Sequence, residues 1–172
     1  MVTEKSVYIG LGSSLGNRKF WIEWAIKKLA LHPNIRFRAT SRGYRTPPMS
    51  GGRAYGWFLN SVAKFDTTLS PVELLKVAKD LERRADRRRE VHWGDRTLDV
   101  DVLLYGGEII DQPNLKIPHP SFLQRPFVTT PLLEINPNIT DPRSGNSVKK
   151  GAHRQGPRAV PVLVVAAPRK LT

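Results

Sequence analysis

At 172 residues the chain is long enough to bury one core without covalent staples, and its lack of cysteine excludes a disulfide framework and a thiolate metal site. Its 28 Lys and Arg against 15 Asp and Glu leave a formal charge of +13, which points to an anionic partner: a polyphosphate, a nucleic acid or an anionic membrane surface. No apolar run reaches the ~18 residues of a membrane span, and Met1 to Ser6 lacks the apolar stretch of a signal peptide, so a cytoplasmic protein without a membrane partner is expected, with one domain over residues 1–172.

Ser6 to Leu11 reads as a buried first strand stopped by Gly12-Ser13-Ser14. Gly10, Gly12 and Gly16 invite a phosphate-loop reading, but Leu15 stands where a dinucleotide fingerprint needs its third glycine, and no Gly-Lys-Ser/Thr closes a P-loop. A tight strand-to-helix turn accounts for them better. Asn17 is a plausible N-cap, and Phe20, Trp21, Trp24, Ala25 and Leu29 recur at helical spacing to about Leu31. After the break at His32-Pro33-Asn34, Ile35, Phe37 and Ala39 alternate with Arg36, Arg38 and Thr40, a half-buried strand running towards Tyr44. Prolines and glycines make residues 45–52 a loop, where binding groups tend to gather. Trp57 to Phe65 supplies a third strand, whose Asn60 serves either a ligand or the local backbone. Ser70-Pro71-Val72-Glu73 is a helix start with a capping box, and Leu74, Leu75, Ala78, Leu81 and Ala85 mark its buried stripe. Arg83, Arg84, Arg87, Arg88 and Arg89 follow; they read either as a solvated helix end or as an arginine flap over an anion.

The stretch from Trp93 to Tyr105 carries the chemistry. Leu98, Val100 and Val102 fall on one face of a strand and Asp99 and Asp101 on the other, their backbones about 7 Å apart. Adjacent like charges on a strand flanked by apolar residues are unfavourable unless a cation sits between them. Aspartate is also depleted in strands, so a Mg²⁺ site completed by substrate phosphates is favoured over a solvated face. Further on, Glu108 to Ile110 suggests a short edge strand, Leu115 to Pro120 an extended segment, Phe122 to Leu133 a helix containing Arg125 and Phe127, and Ala159 to Ala166 a terminal strand, on an edge because of Pro161.

The order strand, helix, strand, strand, helix, strand is the α+β, ferredoxin-like βαββαβ pattern, an antiparallel sheet with helices on one face. His92, Gly94, Arg96, Asp99 and Asp101 match a signature of a basic residue, a glycine, an arginine and two aspartates around one hydrophobic residue. Tyr8 to Ser13, Tyr44 to Pro48, Phe58 to Asn60, Glu82, Pro118 to Pro120 and Arg125 to Phe127 fall in order around it. Together these resemble the 6-hydroxymethyl-7,8-dihydropterin pyrophosphokinases of folate biosynthesis, over roughly residues 6 to 142. The basic tail from Arg143 has no counterpart in the resemblance and is assigned no role.

The resemblance implies transfer of pyrophosphate from ATP to the hydroxymethyl oxygen of the dihydropterin, releasing AMP, with two Mg²⁺ ions on Asp99 and Asp101. It implies catalytic roles for Arg88, Arg96, Asp99 and Asp101. The pterin would lie between Phe58 and Phe127, its edge read by Asn60 and the segment Thr46, Pro47 and Met49. Glu82, Arg87, Arg88, Trp93, Arg96, Lys116, His119 and Arg125 would contact ATP. Stretches 47–56 and 83–92 correspond to mobile loops. Asp95 stands where proline is common in that family, Phe58 where tyrosine is frequent and His92 where arginine is. The arginine-rich loop is about one residue short, so Arg87 and Arg88 are alternatives for one place. Two rival readings remain: a transferase acting on another small alcohol, and an RNA-binding module. The module is favoured by the charge, but no aromatic RNP1-like strand is present and an acidic pair on the central strand opposes it. No nucleic-acid partner is therefore expected.

Overall fold

Burial of consecutive residues along the central strands gives the sheet two apolar faces, and the way those faces are covered places the site. The structure, a computed structural model, describes residues 3–47, 56–85 and 94–149 and the backbone of 160–163. In chain order its elements are β1 (Lys5–Ser13), α1 (Arg18–Ala30), β2 (Ile35–Thr40), β3 (Gly43–Thr46), β4 (Phe58–Thr67), α2 (Pro71–Arg84), β5 (Asp99–Tyr105), β6 (Ile110–Gln112), β7 (Leu115–Ile117), α3 (Pro126–Ile135) and β8 (Val160–Leu163). The main sheet runs β5-β1-β4-β3-β8, with β2 also paired to β4, and β6 and β7 form a separate hairpin. This is the expected α+β, ferredoxin-like arrangement, with the second strand split in two. The split falls at Ser41, whose hydroxyl accepts the Val62 N–H at 3.0 Å and contacts Ser61 Oγ at 3.1 Å. β2 therefore lies along Ala63 to Thr67 and β3 along Phe58 to Asn60.

Val7, Ile9 and Leu11 of β1 face the first core with Leu59, Ala63 and Phe65 of β4 and Val100 and Val102 of β5. Helices α1 and α2 cover it. Asn17 caps α1 by accepting the Phe20 N–H at 3.0 Å. The aromatic stripe expected of that helix is displaced: Ile22, Ala25, Ile26 and Leu29 are its buried residues, while Phe20 is 50% exposed. Branched aliphatic side chains fit between sheet and helix, and Phe20, Trp21 and Trp24 make edge-to-face contacts on the flank. The capping box at Ser70 and Glu73 forms in both directions, and Leu74, Ala78 and Leu81 of α2 are buried.

Tyr8, Val62, Leu103 and Leu104 line the opposite face and pack with Phe122, Val128, Leu132, Ile139 and Val148. α3 thus lies across the sheet from α1 and α2, which corrects the expectation of helices on one face. A register slip between Tyr8 and Ile9 turns Leu103 and Leu104 both towards this second core. The helix expected over Phe122 to Leu133 is a 3-10 turn at Phe122–Gln124 followed by α3, with Arg125 extended at the junction. Proline suits a first helical turn and disfavours helix in the residue before it, so Pro126 sets that boundary. The short strand expected at Glu108 to Ile110 falls two residues later, as β6. Beyond the stretch covered by the resemblance, Val148 is buried in the second core, and β8 pairs with β3 at the sheet edge, where Pro161 is tolerated.

Truncating Leu132, fully buried under α3, is expected to cost about 2–5 kcal/mol in urea unfolding. Ile109→Ala, at a side chain 60% exposed, should stay within about 0.5 kcal/mol.

Candidate active site

The half of the second face that carries polar groups is built on two glycines of β1. Gly12 is register partner to Asn60 on β4 and to Asp99 on β5, and Gly10 pairs with Asp101. Asn60, Gly12 and Asp99 therefore form one row across three strands. A Cβ at Gly12 would stand 3.0 Å from Asn60 Oδ1 and 3.7 Å from Asp99 Cβ, so the lack of a side chain lets the amide and the carboxylate approach each other over a buried glycine. Asn60 is oriented by its neighbour: its Nδ2 donates to Thr46 Oγ1 at 2.8 Å, which leaves Oδ1 over Gly12.

Arg96 enters from the segment before β5. Its Nη1 is 3.3 Å from Asp99 Oδ2, and its guanidinium lies 5.8 Å from the centroid of Phe58. Its backbone is clamped to the end of β1: Ser14 Oγ accepts the Arg96 N–H at 2.9 Å, and Arg96 O accepts the N–H groups of Ser14 and Leu15 at 2.9 and 3.1 Å. Arg125, at the mouth of α3, lies 5.8 Å from the Phe127 ring, and its Nε is buried without a hydrogen-bond partner. An unsatisfied buried cationic donor is costly unless an acceptor arrives. His119 donates its backbone N–H to Leu103 O at 3.0 Å, and its Nδ1 accepts the Ser121 N–H at 3.3 Å. The remaining imidazole proton is therefore on Nε2.

Electrostatics tie these groups together. The Asp101 carboxyl is pushed up to about 7, first by burial among protein atoms, then by the charges of Asp99 and Glu82, with Lys79 and Arg125 opposing. Asp101 itself is half-buried. His119 is pushed down to about 4 by burial and by the Arg125 charge, so at neutral pH it is an uncharged donor. Glu82 is buried on the outer edge of β5, where its Oε1 accepts the Val100 N–H at 2.9 Å and Oε2 pairs with Lys79 at 3.1 Å. That duty to the strand edge was not legible beforehand.

Of the residues expected at a site, Thr46, Asn60, Phe58, Arg96, Asp99, Asp101, His119, Arg125 and Phe127 are placed on this face or its rim, and Pro47 directly follows β3. Lys116 is on β7, ion-paired with Asp111 across the hairpin. Met49, Arg87, Arg88, His92 and Trp93 lie outside the described residues. Sequence reasoning passed over Gly10 and Gly12 as site residues. Glycines two apart inside a strand pattern were the available signal, because they leave one face bare.

A sequence profile described as 7,8-dihydro-6-hydroxymethylpterin-pyrophosphokinase (HPPK) matches residues 8–137. The chain belongs to that family. It is similar to a 2-amino-4-hydroxy-6-hydroxymethyldihydropteridine pyrophosphokinase of Methylorubrum extorquens, 38% identical over 153 residues, covering 89% of this chain and 95% of the relative. A protein of the same name from Aquifex aeolicus is 41% identical over 137 residues, covering 80% of this chain and 84% of that one. Among solved structures, wild-type HPPK-DHPS of Plasmodium falciparum with pteroate aligns at a TM-score of 0.71 with 12% identity, over 88% of this chain. The chain spans only 42% of that longer protein, and the likeness bears on the fold alone. The family match holds every expected site residue from Thr46 to Phe127 and ends before β8.

Between pH ~4 and ~6.5 the two shifted groups oppose each other in stability. His119 refuses a proton that the unfolded chain accepts near 6.5, so its contribution rises with pH over that window. Asp101 keeps a proton that the unfolded chain loses near 3.8, so its contribution falls as pH rises towards 7. In chelator-treated protein, Asp101→Asn should therefore gain stability over wild type as pH rises from 4.5 to 7, read as a growing difference in urea midpoints.

Proposed function

We propose that the family's reaction, transfer of pyrophosphate from ATP to 6-hydroxymethyl-7,8-dihydropterin with release of AMP, takes place over the Asn60–Gly12–Asp99 row. The observation that carries this reading is the row itself, an amide and a carboxylate flanking a residue with no side chain. Two inter-strand steps put roughly 10 Å between the Asn60 and Asp99 backbones, the span of a bicyclic ring and its one-carbon arm. The ring then lies at the amide end and the hydroxyl at the acidic end.

Phe58 and Phe127 supply the stacking faces for the flat heterocycle. Asn60 Oδ1, held over Gly12 by the Thr46 hydroxyl, accepts from an N–H edge, and Thr46, Pro47 and Met49 frame that edge. Arg96, Arg125 and Arg88 or Arg87 hold the phosphates, with His119 Nε2–H as an uncharged donor. The unsatisfied Nε of Arg125 supports an anion beside it. His119 is thereby a donor and not a base, since Nδ1 is occupied and Nε2 carries the proton. Glu82, Trp93 and Lys116 are assigned to ATP on the resemblance alone.

The donor set fits Mg²⁺. Among the described residues no group of three or more His, Asp or Glu gathers, so the protein offers the Asp99 and Asp101 carboxylates and leaves other positions to phosphate oxygens and water. Burial and the neighbouring carboxylates raise the proton affinity of Asp101, the setting in which a bound cation would be favourable. Asp99 and Asp101 would hold Mg²⁺, as two ions in the reading proposed, and the metal would supply charge neutralisation of the phosphates and orientation for in-line attack. No helix among the described residues is long and apolar enough to cross a membrane. Dependence on ATP supports a cytoplasmic setting, with small molecules and no nucleic acid as partners.

ATP is expected to yield AMP only when both Mg²⁺ and the dihydropterin are present, read by nucleotide chromatography. Asp99→Ala and Asp101→Ala should each lower kcat at least ~100-fold with an unchanged far-UV spectrum, and full activity in either would remove the metal from the mechanism. Gly12→Val should raise KM for the pterin about tenfold or more by displacing the Asn60 amide, which a Cβ would meet at 3.0 Å. Tight, salt-sensitive RNA binding without AMP would favour the RNA-binding reading, which the net charge of +13 supports.

A further inference from the structure

Three backbone segments meet at Gly56. A Cβ there would stand 3.2 Å from Asp95 Oδ1, 3.3 Å from Ser14 O and 3.5 Å from Arg18 Nη2, so a side chain fits only if those neighbours give way by a few tenths of an ångström. Asp95 Oδ1 accepts the Gly56 N–H at 3.2 Å. The next residue, Trp57, gives its carbonyl to Arg18 Nε at 3.0 Å and its ring to the Arg18 guanidinium at 4.1 Å. On the other strand of the junction, Arg96 is clamped to Ser14 through its main chain. Phe58 is two residues from Gly56, and Arg96 adjoins Asp95. The Asp95–Gly56 bond thus joins the backbone that carries a stacking ring to the backbone that carries a phosphate-side arginine, and those two side chains lie 5.8 Å apart, cation to ring centroid.

We propose that Asp95 is a positioning residue, which keeps the Phe58 platform in register with Arg96 and so aligns the pterin hydroxyl with the transferred phosphorus. The inference rests on the site assignment above. Each substrate keeps its own contacts when the tether is cut, but the angle between them is no longer fixed. Misplacement of about 1 Å costs up to ~100-fold in rate, and the loss appears in turnover more than in binding.

Steady-state kinetics test this. Asp95→Ala is expected to lower kcat about tenfold, with KM for ATP and for the pterin each within about threefold of wild type. Asp95→Asn, whose amide oxygen still accepts the Gly56 N–H, should stay within about twofold. Gly56→Ala, which crowds the same carboxylate, should reproduce the loss, and the Asp95→Ala/Gly56→Ala double variant should be no worse than either single one. Wild-type kcat in Asp95→Ala, equal losses in Asp95→Ala and Asp95→Asn, or additive losses in the double variant would each overturn the proposal. Phe58→Ala and Arg96→Ala separate the two levels. If both keep full activity, the site assignment falls and this inference with it. If both are impaired while Asp95→Ala turns over normally, only the tether is wrong.

Discussion

Gly12 on the central strand stands between an amide and a carboxylate, and the rest of the site depends on its having no side chain. A strand flanked on both sides by others presents alternate residues to each face, so a Cβ at position 12 would crowd the Asn60 amide at 3.0 Å. Strand glycines weaken a sheet by leaving entropy to lose and nothing to pack. Here β1 tolerates them because it is hydrogen-bonded along both edges, while its other face buries Val7, Ile9 and Leu11. The side of the strand that contributes stability and the side that faces the candidate site are opposite faces of the same residues.

The third helix adds a layer to that face of the sheet. It packs on the second core through Val128 and Leu132 and brings Arg125 to the rim of the candidate site. Its far end is anchored by Glu134, which accepts from the Tyr44 hydroxyl and from the Arg42 backbone and guanidinium. Tyr44 is the register partner of Asn60. The helix that presents Arg125 and Phe127 is therefore tied to the strand neighbouring the one that carries Asn60.

Charge within the site follows from how little of it is neutralised by the protein itself. Arg96 pairs with Asp99, but Asp101 is left under the influence of two other carboxylates, and Arg125 keeps a buried donor without a partner. A buried acid of raised proton affinity and a buried guanidinium donor, set on one face, are what the proposed metal-bound polyphosphate would require. This local arrangement supports the proposed ligand more directly than the net charge of +13, which suits RNA equally well.

What the sequence by itself determined is whatever depends on neighbours in the chain. The capping box at Ser70, the cap at Asn17, the alternation that puts Asp99 and Asp101 on one face and the order of strands and helices all follow from short-range periodicity. The family's residue order was legible for the same reason, since its motifs are local strings. Tertiary structure decided whatever depends on register and on which face a helix chooses. Nothing near Gly12 in sequence says that Asn60 and Asp99 flank it; that requires two ladders to pair in one alignment. The place of α3 opposite α1 and α2, the fall of α1's buried stripe on Ile22 and Ile26, Glu82's hold on the Val100 N–H and the Asp95–Gly56 tether are likewise long-range matches. Each is selected by packing and hydrogen-bond satisfaction in the assembled molecule, where no window of sequence carries the information.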